Sequence, residues 1–141
     1  MMKQVEISEP GGPEVLVLRE VEIPEPKPFE VLIKVVAAGV NRPDIVQRQG
    51  NYKPPEGASE IPGLEVSGII TRVGHDVRGY NVGDKVCALL TGGRYAEYCC
   101  APASQILPIP DGISIADASW IPETFFTVWS NLFMSANLVA G

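Results

Sequence analysis

The sequence predicts a mainly β domain with a few short helices, built as a small β-barrel or a strongly bent sheet. Up to about residue 110, short apolar runs alternate with turns rich in glycine and proline. The 13 prolines and 14 glycines suit the frequent bends that such a fold needs. Beyond Pro110 the apolar residues recur at helical spacing, so a helical segment follows the β region.

Six runs of the β region have the length and composition of strands. They are separated by the turn signals PGGPE, PEPKP, GHD and TGG. The predicted strands are KQVEIS (3–8), VLVLREVEI (15–23), EVLIKVVAAG (30–39), EVSGIITRVG (65–74), DKVCALL (84–90) and RYAEYCCA (94–101).

A short helix is predicted over residues 41–50, directly after the third strand. Asn41 is a favourable N-cap residue, and Pro43 is tolerated in a first helical turn. Asp44 complements the positive end of the helix, and Gly50 provides a C-terminal stop.

The helical region begins at Ser114 and Asp117, which resemble a capping box. Pro122 should split this region into a short turn and a longer helix. The longer helix carries a wide apolar face that needs a neighbour to pack on. That face consists of Phe125, Phe126, Trp129, Leu132 and Phe133. We therefore expect the chain to be part of a longer protein.

Composition excludes several functions. The net charge is −6 and the eleven basic residues are scattered, which argues against a nucleic-acid partner. No apolar stretch is long enough to cross a bilayer, and the N-terminus lacks the apolar segment of a signal peptide. We expect a cytoplasmic protein without a membrane partner.

The cysteines do not form a disulfide or zinc pattern. Cys87, Cys99 and Cys100 are an odd number with an adjacent pair, and no C-x-x-C or H-x-x-H spacing occurs. We expect buried or edge-strand thiols. The single histidine, His75, lies in a Gly-His-Asp turn and cannot anchor a nucleophile set.

Taken together, these segments resemble the N-terminal, GroES-like part of the medium-chain dehydrogenases/reductases. Within that superfamily they resemble the zinc-free quinone oxidoreductases related to zeta-crystallin. The matching stretches follow the family's order and cover nearly the whole chain. They are GGPEVLVL (11–18), EVLIKVVAAGVNRPDIVQRQGNY (30–52), PPEGASEIPGLEVSGIITRVG (54–74), VGDKVCALL (82–90), GGRYAEYC (92–99) and ASWIPETFFTVW (118–129).

The resemblance implies a GroES-like bent β-barrel with short helices over residues 1–121. Residues 122–141 would form the first helix leading toward a Rossmann domain that these residues do not include. In this family the Rossmann domain binds NADPH and the enzyme is usually a homodimer. No G-x-G-x-x-G occurs in the chain, so we expect an incomplete NADPH site and an inactive isolated chain.

The resemblance also implies a reaction without zinc. Zinc alcohol dehydrogenases of the superfamily carry Cys and His ligands at the positions of Asn41 and Leu64, and only Glu65 remains of that set. The cysteines of the structural zinc site are missing too. A quinone is activated enough to accept a hydride with the help of hydrogen bonds alone. The expected reaction is hydride transfer from NADPH to a quinone or similar activated carbonyl.

The residues that line the nicotinamide in this family correspond to the start of the predicted short helix and to Thr127. The resemblance places Asn41 beside the nicotinamide ring, where it would bind cofactor or substrate, with Arg42, Pro43 and Asp44 along the same edge. It places the Thr127 hydroxyl near the nicotinamide carboxamide. The alternatives are an N-cap for Asn41, a first-turn charge for Asp44, and for Thr127 a bond to its own helix carbonyl.

Two further residues are assigned to the substrate side. The resemblance directs Tyr52 toward the quinone pocket as a catalytic hydrogen-bond donor to a carbonyl oxygen; alternatively it packs over the Pro-Pro turn. Glu65 would hold a polar link inside the site; alternatively it is an exposed strand residue.

Two other functions are compatible with the sequence. An enoyl or 2-alkenal reductase uses much the same zinc-free scaffold for hydride addition to an activated double bond. A GroES-like module without catalytic activity would serve in binding or assembly.

Overall fold

Five strands form one antiparallel sheet, and two more form a separate antiparallel hairpin. The computed structural model describes residues 1–140. The sheet order is β6-β3-β4-β5-β7, and the hairpin pairs β1 with β2. The strand bounds are β1 Met2–Ile7, β2 Leu16–Val21, β3 Glu30–Ala38, β4 Glu65–Val73, β5 Lys85–Leu89, β6 Tyr98–Pro102 and β7 Ile106–Pro108.

The five-stranded sheet is curled into a half-barrel. The register of β3 against β4 shifts between Leu32 and Ile33 and again between Val35 and Ala37. Such bulges bend a strand and increase its twist. The concave side holds the apolar core, made of Val31, Ile33, Val66, Ile70, Val77, Val86, Ala88, Leu90, Cys99, Ala101 and Ile106. The prediction of a mainly β, strongly bent sheet is confirmed.

Residues 94–97 join the hairpin to the sheet. The Val5 N–H donates to Tyr95 O at 2.7 Å, and the Glu97 N–H donates to Lys3 O at 3.0 Å. On the other side, the Val35 N–H donates to Glu97 O at 2.9 Å. The segment therefore extends the curved surface from β3 to β1.

The helices lie where the sequence predicted them, with one difference. Helix α1 spans Arg42–Arg48, and Gly50 follows it with a φ of +77°. A 3-10 turn over Asp117–Trp120 precedes α2, which spans Ile121–Trp129. The chain then continues in a π-helical turn over Ser130–Ser135, which the sequence pattern did not predict.

The predicted start signals of the second helical region are present. The Asp117 N–H donates to Ser114 Oγ at 3.1 Å, and Ser114 Oγ donates to the Asp117 carboxylate at 2.7 Å. Pro122 lies in the first turn of α2, where its missing N–H leaves no intrahelical bond unmade. The split therefore falls before Pro122 rather than after it.

Two strand predictions were wrong in detail. Residues 94–97, predicted as the beginning of a strand, bridge the hairpin and the sheet, and β6 starts only at Tyr98. Strand β7 was missed because it has three residues, of which Leu107 and Pro108 are exposed. So short a run carries no alternation.

The apolar face of α2 and the π-helical turn is exposed. Each of its five large apolar side chains is between 40% and 61% exposed: Phe125, Phe126, Trp129, Leu132 and Phe133. The rings of Trp129 and Phe133 pack on each other, with centroids 4.6 Å apart. The predicted apolar face thus has no protein layer over it within residues 1–140. None of the helices in that range combines the length and apolar composition that a bilayer crossing requires.

The close approach of β3 and β4 leads to a stability prediction. A methyl group on Gly68 would overlap the carbonyl oxygen of Lys34 and the side chain of Ile33. Both belong to the central strand of the core, so we expect Gly68→Ala to lower the free energy of unfolding by roughly 2–3 kcal/mol. Urea denaturation measures this change. The control is Gly79→Ala, where the added Cβ meets nothing within 4 Å and the φ of +83° costs only about 1 kcal/mol. Equal destabilisation of the two variants would contradict the prediction.

Candidate functional site

A buried carboxylate lies at the centre of the candidate site. Glu65, the first residue of β4, is 1% exposed. Its Oε1 accepts a hydrogen bond from Asn41 Nδ2 at 2.9 Å, and its Oε2 accepts one from the backbone N–H of Glu123 at 2.9 Å. Glu65 therefore joins the start of α1 to the start of α2, and the alternative of an exposed strand residue is wrong.

The local backbone is built to accommodate this carboxylate. The first N–H groups of a helix lack intrahelical partners and carry partial positive charge, so the start of α2 stabilises an anion. Gly39, just after β3, has no Cβ, and a Cβ there would collide with the Glu65 carboxyl group. The Gly39 N–H donates to the Glu65 backbone oxygen at 3.2 Å. Only glycine lets the chain pass this close to the carboxylate.

A second buried carboxylate, that of Asp44, stabilises the start of α1 beside Glu65. Asp44 is 5% exposed, and its Oδ2 accepts hydrogen bonds from the Asn41 N–H at 2.8 Å and from the Tyr95 hydroxyl at 2.9 Å. Its Oδ1 accepts from the Gly63 N–H at 3.1 Å. Asp44 is thus more than a first-turn helix charge, because it ties α1 to the segments before β4 and β6.

The two carboxylates change the titration of their neighbours. Burial, and then the charge of Asp44, raises the pKa of Tyr95 well above its usual value. Tyr95 therefore keeps its proton and remains a donor to Asp44 at neutral pH. Burial, and then the charges of Glu65 and Asp44, also raises the pKa of Glu123 above 4.5.

The contacts of Asn41 fix the orientation of its amide. An ionised carboxylate only accepts hydrogen bonds, so Nδ2 must face Glu65 and Oδ1 must point away. At the N-cap position of α1, the Asn41 side chain faces the Asp44 N–H while the Asp44 carboxylate accepts from the Asn41 N–H, which makes a capping box. The Asn41 side chain therefore serves both as the N-cap of α1 and as a donor to Glu65.

The other predicted cofactor residues surround this amide without joining the network. Arg42 is exposed, and Pro43 is half-buried in the first turn of α1. Thr127 is exposed on α2, one helical turn after Glu123 and so on the same face. Its hydroxyl makes no hydrogen bond within residues 1–140, so the alternative bond to a helix carbonyl is not observed.

Tyr52 lies apart from the network. It is in the loop between α1 and β4, it is 38% exposed, and its hydroxyl has no hydrogen-bond partner among the described residues. The structure does not join Tyr52 to Asn41 or Glu65, and its assignment as a substrate donor stays a prediction.

Sequence reasoning missed three residues of the site. Tyr95 bonds to Asp44 from 51 positions away, and the Glu123 N–H bonds to Glu65 from 58 positions away. No spacing pattern connects residues so distant. Gly39 ends an apolar run and carries no signal beyond being glycine, although the neighbouring Asn41 was already singled out.

The donor set does not suit a metal. Leu64 has no lone pair to offer, and no three His, Cys, Asp or Glu side chains in the described part of the chain are grouped to hold an ion. All three cysteines are unpaired thiols, on β5 for Cys87 and on the edge strand β6 for Cys99 and Cys100. Burial raises the pKa of each. His75 lies exposed in a turn, as predicted.

The largest cleft lies elsewhere. It has a volume of about 630 Å³ and runs along β6 past Met2, Arg94 and Cys100. None of the predicted site residues lines it. The candidate site is instead an open edge formed by the starts of α1, β4 and α2.

Comparison with known proteins agrees with this architecture. A quinone oxidoreductase of Mus musculus is 37% identical over 143 residues, which covers 100% of this chain and 43% of that protein. The human synaptic vesicle membrane protein VAT-1 homolog-like is 38% identical over 140 residues, covering 99% of this chain and 33% of that protein. Its crystal structure superposes with a TM-score of 0.91 over 99% of this chain and 45% of the solved chain.

A third similarity is to the CurK enoyl reductase. Its crystal structure superposes with a TM-score of 0.89 at 26% identity, covering 99% of this chain and 45% of that chain. The chain thus spans less than half the length of the relatives it matches. The alcohol dehydrogenase GroES-like domain family matches residues 27–111, more than half of the chain. The chain therefore belongs to this family, the GroES-like domain of the medium-chain dehydrogenases/reductases.

Proposed function

We propose that the chain is the catalytic-domain part of an NADPH-dependent, zinc-independent quinone oxidoreductase. The observation that carries the proposal is the Asn41 amide, which the buried Glu65 carboxylate and the capping box of α1 hold in one orientation. This is a preorganised polar group at the end of the fold where α1 and α2 begin. Hydride transfer to an activated acceptor needs such fixed dipoles and little else.

The chemistry of the side chains supports independence from zinc. Catalytic zinc takes three ligands from His, Cys or carboxylate groups. Leu64 offers none, and the Asn41 Nδ2 group is a donor directed at Glu65. Both carboxylate oxygens of Glu65 already accept hydrogen bonds. Hydrogen bonds occupy the polar atoms that a metal would use.

The residues around Asn41 fit a nicotinamide edge. NADPH supplies the hydride when it is bound. Asn41 Oδ1 has a second lone pair that could accept a carboxamide N–H, and the Thr127 hydroxyl is exposed on the face of α2 that begins at Glu123. Arg42 and Pro43 border the same edge, and the Tyr52 phenol is the proposed donor to a substrate carbonyl oxygen. The phosphates need a glycine-rich turn that the chain lacks.

The relatives act on two kinds of hydride acceptor, quinones and activated double bonds. The mouse relative is a quinone oxidoreductase, and CurK is an enoyl reductase. We favour the quinone because the quinone oxidoreductase has the higher identity, 37% against 26%. Enoyl or 2-alkenal reduction is the second candidate. By the same family resemblance, we propose a cytoplasmic homodimer for the full-length protein.

The choice of acceptor can be measured directly. We expect the full-length protein to oxidise NADPH with a benzoquinone at a kcat/KM at least about tenfold above that for a 2-alkenal, about 1.4 kcal/mol in transition-state stabilisation. NADPH absorbance at 340 nm follows both reactions. A preference for the 2-alkenal would move the protein to the reductase class, and no turnover with either would support a binding module.

The role of the oriented amide predicts a specific loss. We expect Asn41→Ala to lower kcat/KM of the full-length protein by about tenfold or more, because it removes both the oriented amide and its bond to Glu65. The control is Asn81→Ala, whose exposed side chain lies in a turn before β5. Circular dichroism verifies that both variants are folded. Unchanged kinetics of Asn41→Ala would contradict the site.

The missing phosphate turn predicts weak cofactor binding. We expect residues 1–141 alone to bind NADPH with a Kd no tighter than about 1 mM, since nicotinamide contacts remain but phosphate contacts do not. Isothermal titration calorimetry measures the affinity. Micromolar binding would show that the glycine-rich turn is not required.

A further inference from the structure

Reduction of a quinone consumes a proton as well as a hydride, and the network has one group suited to supply it. The Tyr95 hydroxyl already donates its proton in a hydrogen bond to Asp44. The carboxylates of Asp44 and Glu65 are buried and accept hydrogen bonds on both oxygens. The carboxyl group of Glu123 is different, because it is partly exposed and has no hydrogen-bond partner within the described chain.

Glu123 also lies at the right place. Its backbone N–H and the Asn41 amide bond to opposite oxygens of the Glu65 carboxylate. The two residues are therefore separated only by the width of that group. The side chain of Glu123 therefore starts at the same edge as the Asn41 amide.

We propose that Glu123 is a catalytic residue that donates a proton to the acceptor oxygen during reduction. This inference rests on the proposed function. The acceptor takes a hydride from NADPH, which becomes NADP⁺, and the reduced quinone then carries one negative oxygen. An O–H bond of Glu123 breaks and a new O–H bond forms on that oxygen, which gives the neutral hydroquinone. The Glu123 carboxylate recovers its proton from water.

The electrostatic surroundings favour the protonated form of Glu123. Burial and the charges of Glu65 and Asp44 raise its pKa above 4.5. Helix α2 carries no other charged side chain. The elements packed against α2 contribute Asp117 and Lys85, and Asp117 is hydrogen-bonded to Ser114. The carboxylates outnumber the lysine, so the neighbouring charges act in the direction that raises the pKa of Glu123.

The proposed role of Glu123 determines how the rate of reduction depends on pH. A proton donor must be protonated to act, so the rate falls as pH rises through the pKa of Glu123. Because that pKa is raised, the active form persists to higher pH than for an ordinary glutamate. Glu123→Gln keeps the backbone N–H to Glu65 but removes the acidic proton.

The test uses the full-length protein, NADPH and benzoquinone, with single-turnover rates measured between about pH 5 and pH 8. We expect Glu123→Gln to slow the reaction on the order of 10²-fold and to lose the pH dependence, with the KM for NADPH unchanged. Glu123→Asp should retain a pH-dependent rate. Added formate should partly restore Glu123→Ala, which a purely structural role would not allow. The control is Glu20→Gln, an exposed carboxylate on β2.

The outcomes separate the two proposals. An active wild type whose Glu123→Gln variant keeps the rate and pH profile overturns the role of Glu123 alone. A slow variant with the wild-type pH profile and no rescue by formate overturns it as well. A wild type that does not oxidise NADPH with quinones overturns the proposed function and this inference with it.

Discussion

The hydrogen-bonded centre of the candidate site depends on one buried carboxylate, that of Glu65. Burying an ionised carboxyl group costs several kcal/mol unless hydrogen bonds replace the lost water. Glu65 receives these bonds from Asn41 on α1 and from the N-terminus of α2. Since the carboxylate needs both donors, the two helices are fixed relative to β4. The edge between the helices is the candidate site.

The fold supplies this arrangement through backbone geometry as much as through side chains. Gly39 lets β3 leave the sheet directly against the Glu65 carboxyl group. Asp44 then holds the first turn of α1 by accepting the Asn41 N–H, while Tyr95 reaches the same carboxylate from the segment before β6. The end of β3, the start of β4, two helices and the segment before β6 thus converge on two acidic side chains. Fixed N–H and O–H donors stabilise both negative charges.

The acidity of the site explains why its ionisable groups differ in behaviour. Asp44 and Glu65 are saturated with donors, whereas Glu123 is close to both without a donor of its own. Partial burial raises the pKa of Glu123, and repulsion from the two buried charges raises it further. Carboxyl groups within one small region acquire separate roles, two in holding the structure and one in proton transfer. The difference arises from the number of hydrogen bonds that each carboxyl group accepts, and not from the residue type.

Local sequence patterns predicted most of the strands and helices. They failed for segments that are very short or whose structure depends on partners distant in the chain. The apolar runs of β3 and β4 and the signals around α1 identified these elements correctly. Residues 94–97 have strand composition but bridge two sheets, because their backbone groups find partners in both β1 and β3. Strand β7 has too few residues for a period. The π-helical turn after Trp129 shares its apolar spacing with an α-helix, so the pattern does not distinguish them.

By itself, the sequence determined the bent β fold and the short helix after β3, and it singled out Asn41 and Glu65 as candidate site residues. These features follow from local periodicity, from turn residues and from motifs that resemble a known family. Only the tertiary structure decided that Glu65 is buried, that its partners are Asn41 and Glu123, and that Tyr95 completes the network through Asp44. The physical reason is that hydrogen-bond partners are chosen by proximity in space. These partners are as many as 58 residues apart along the chain.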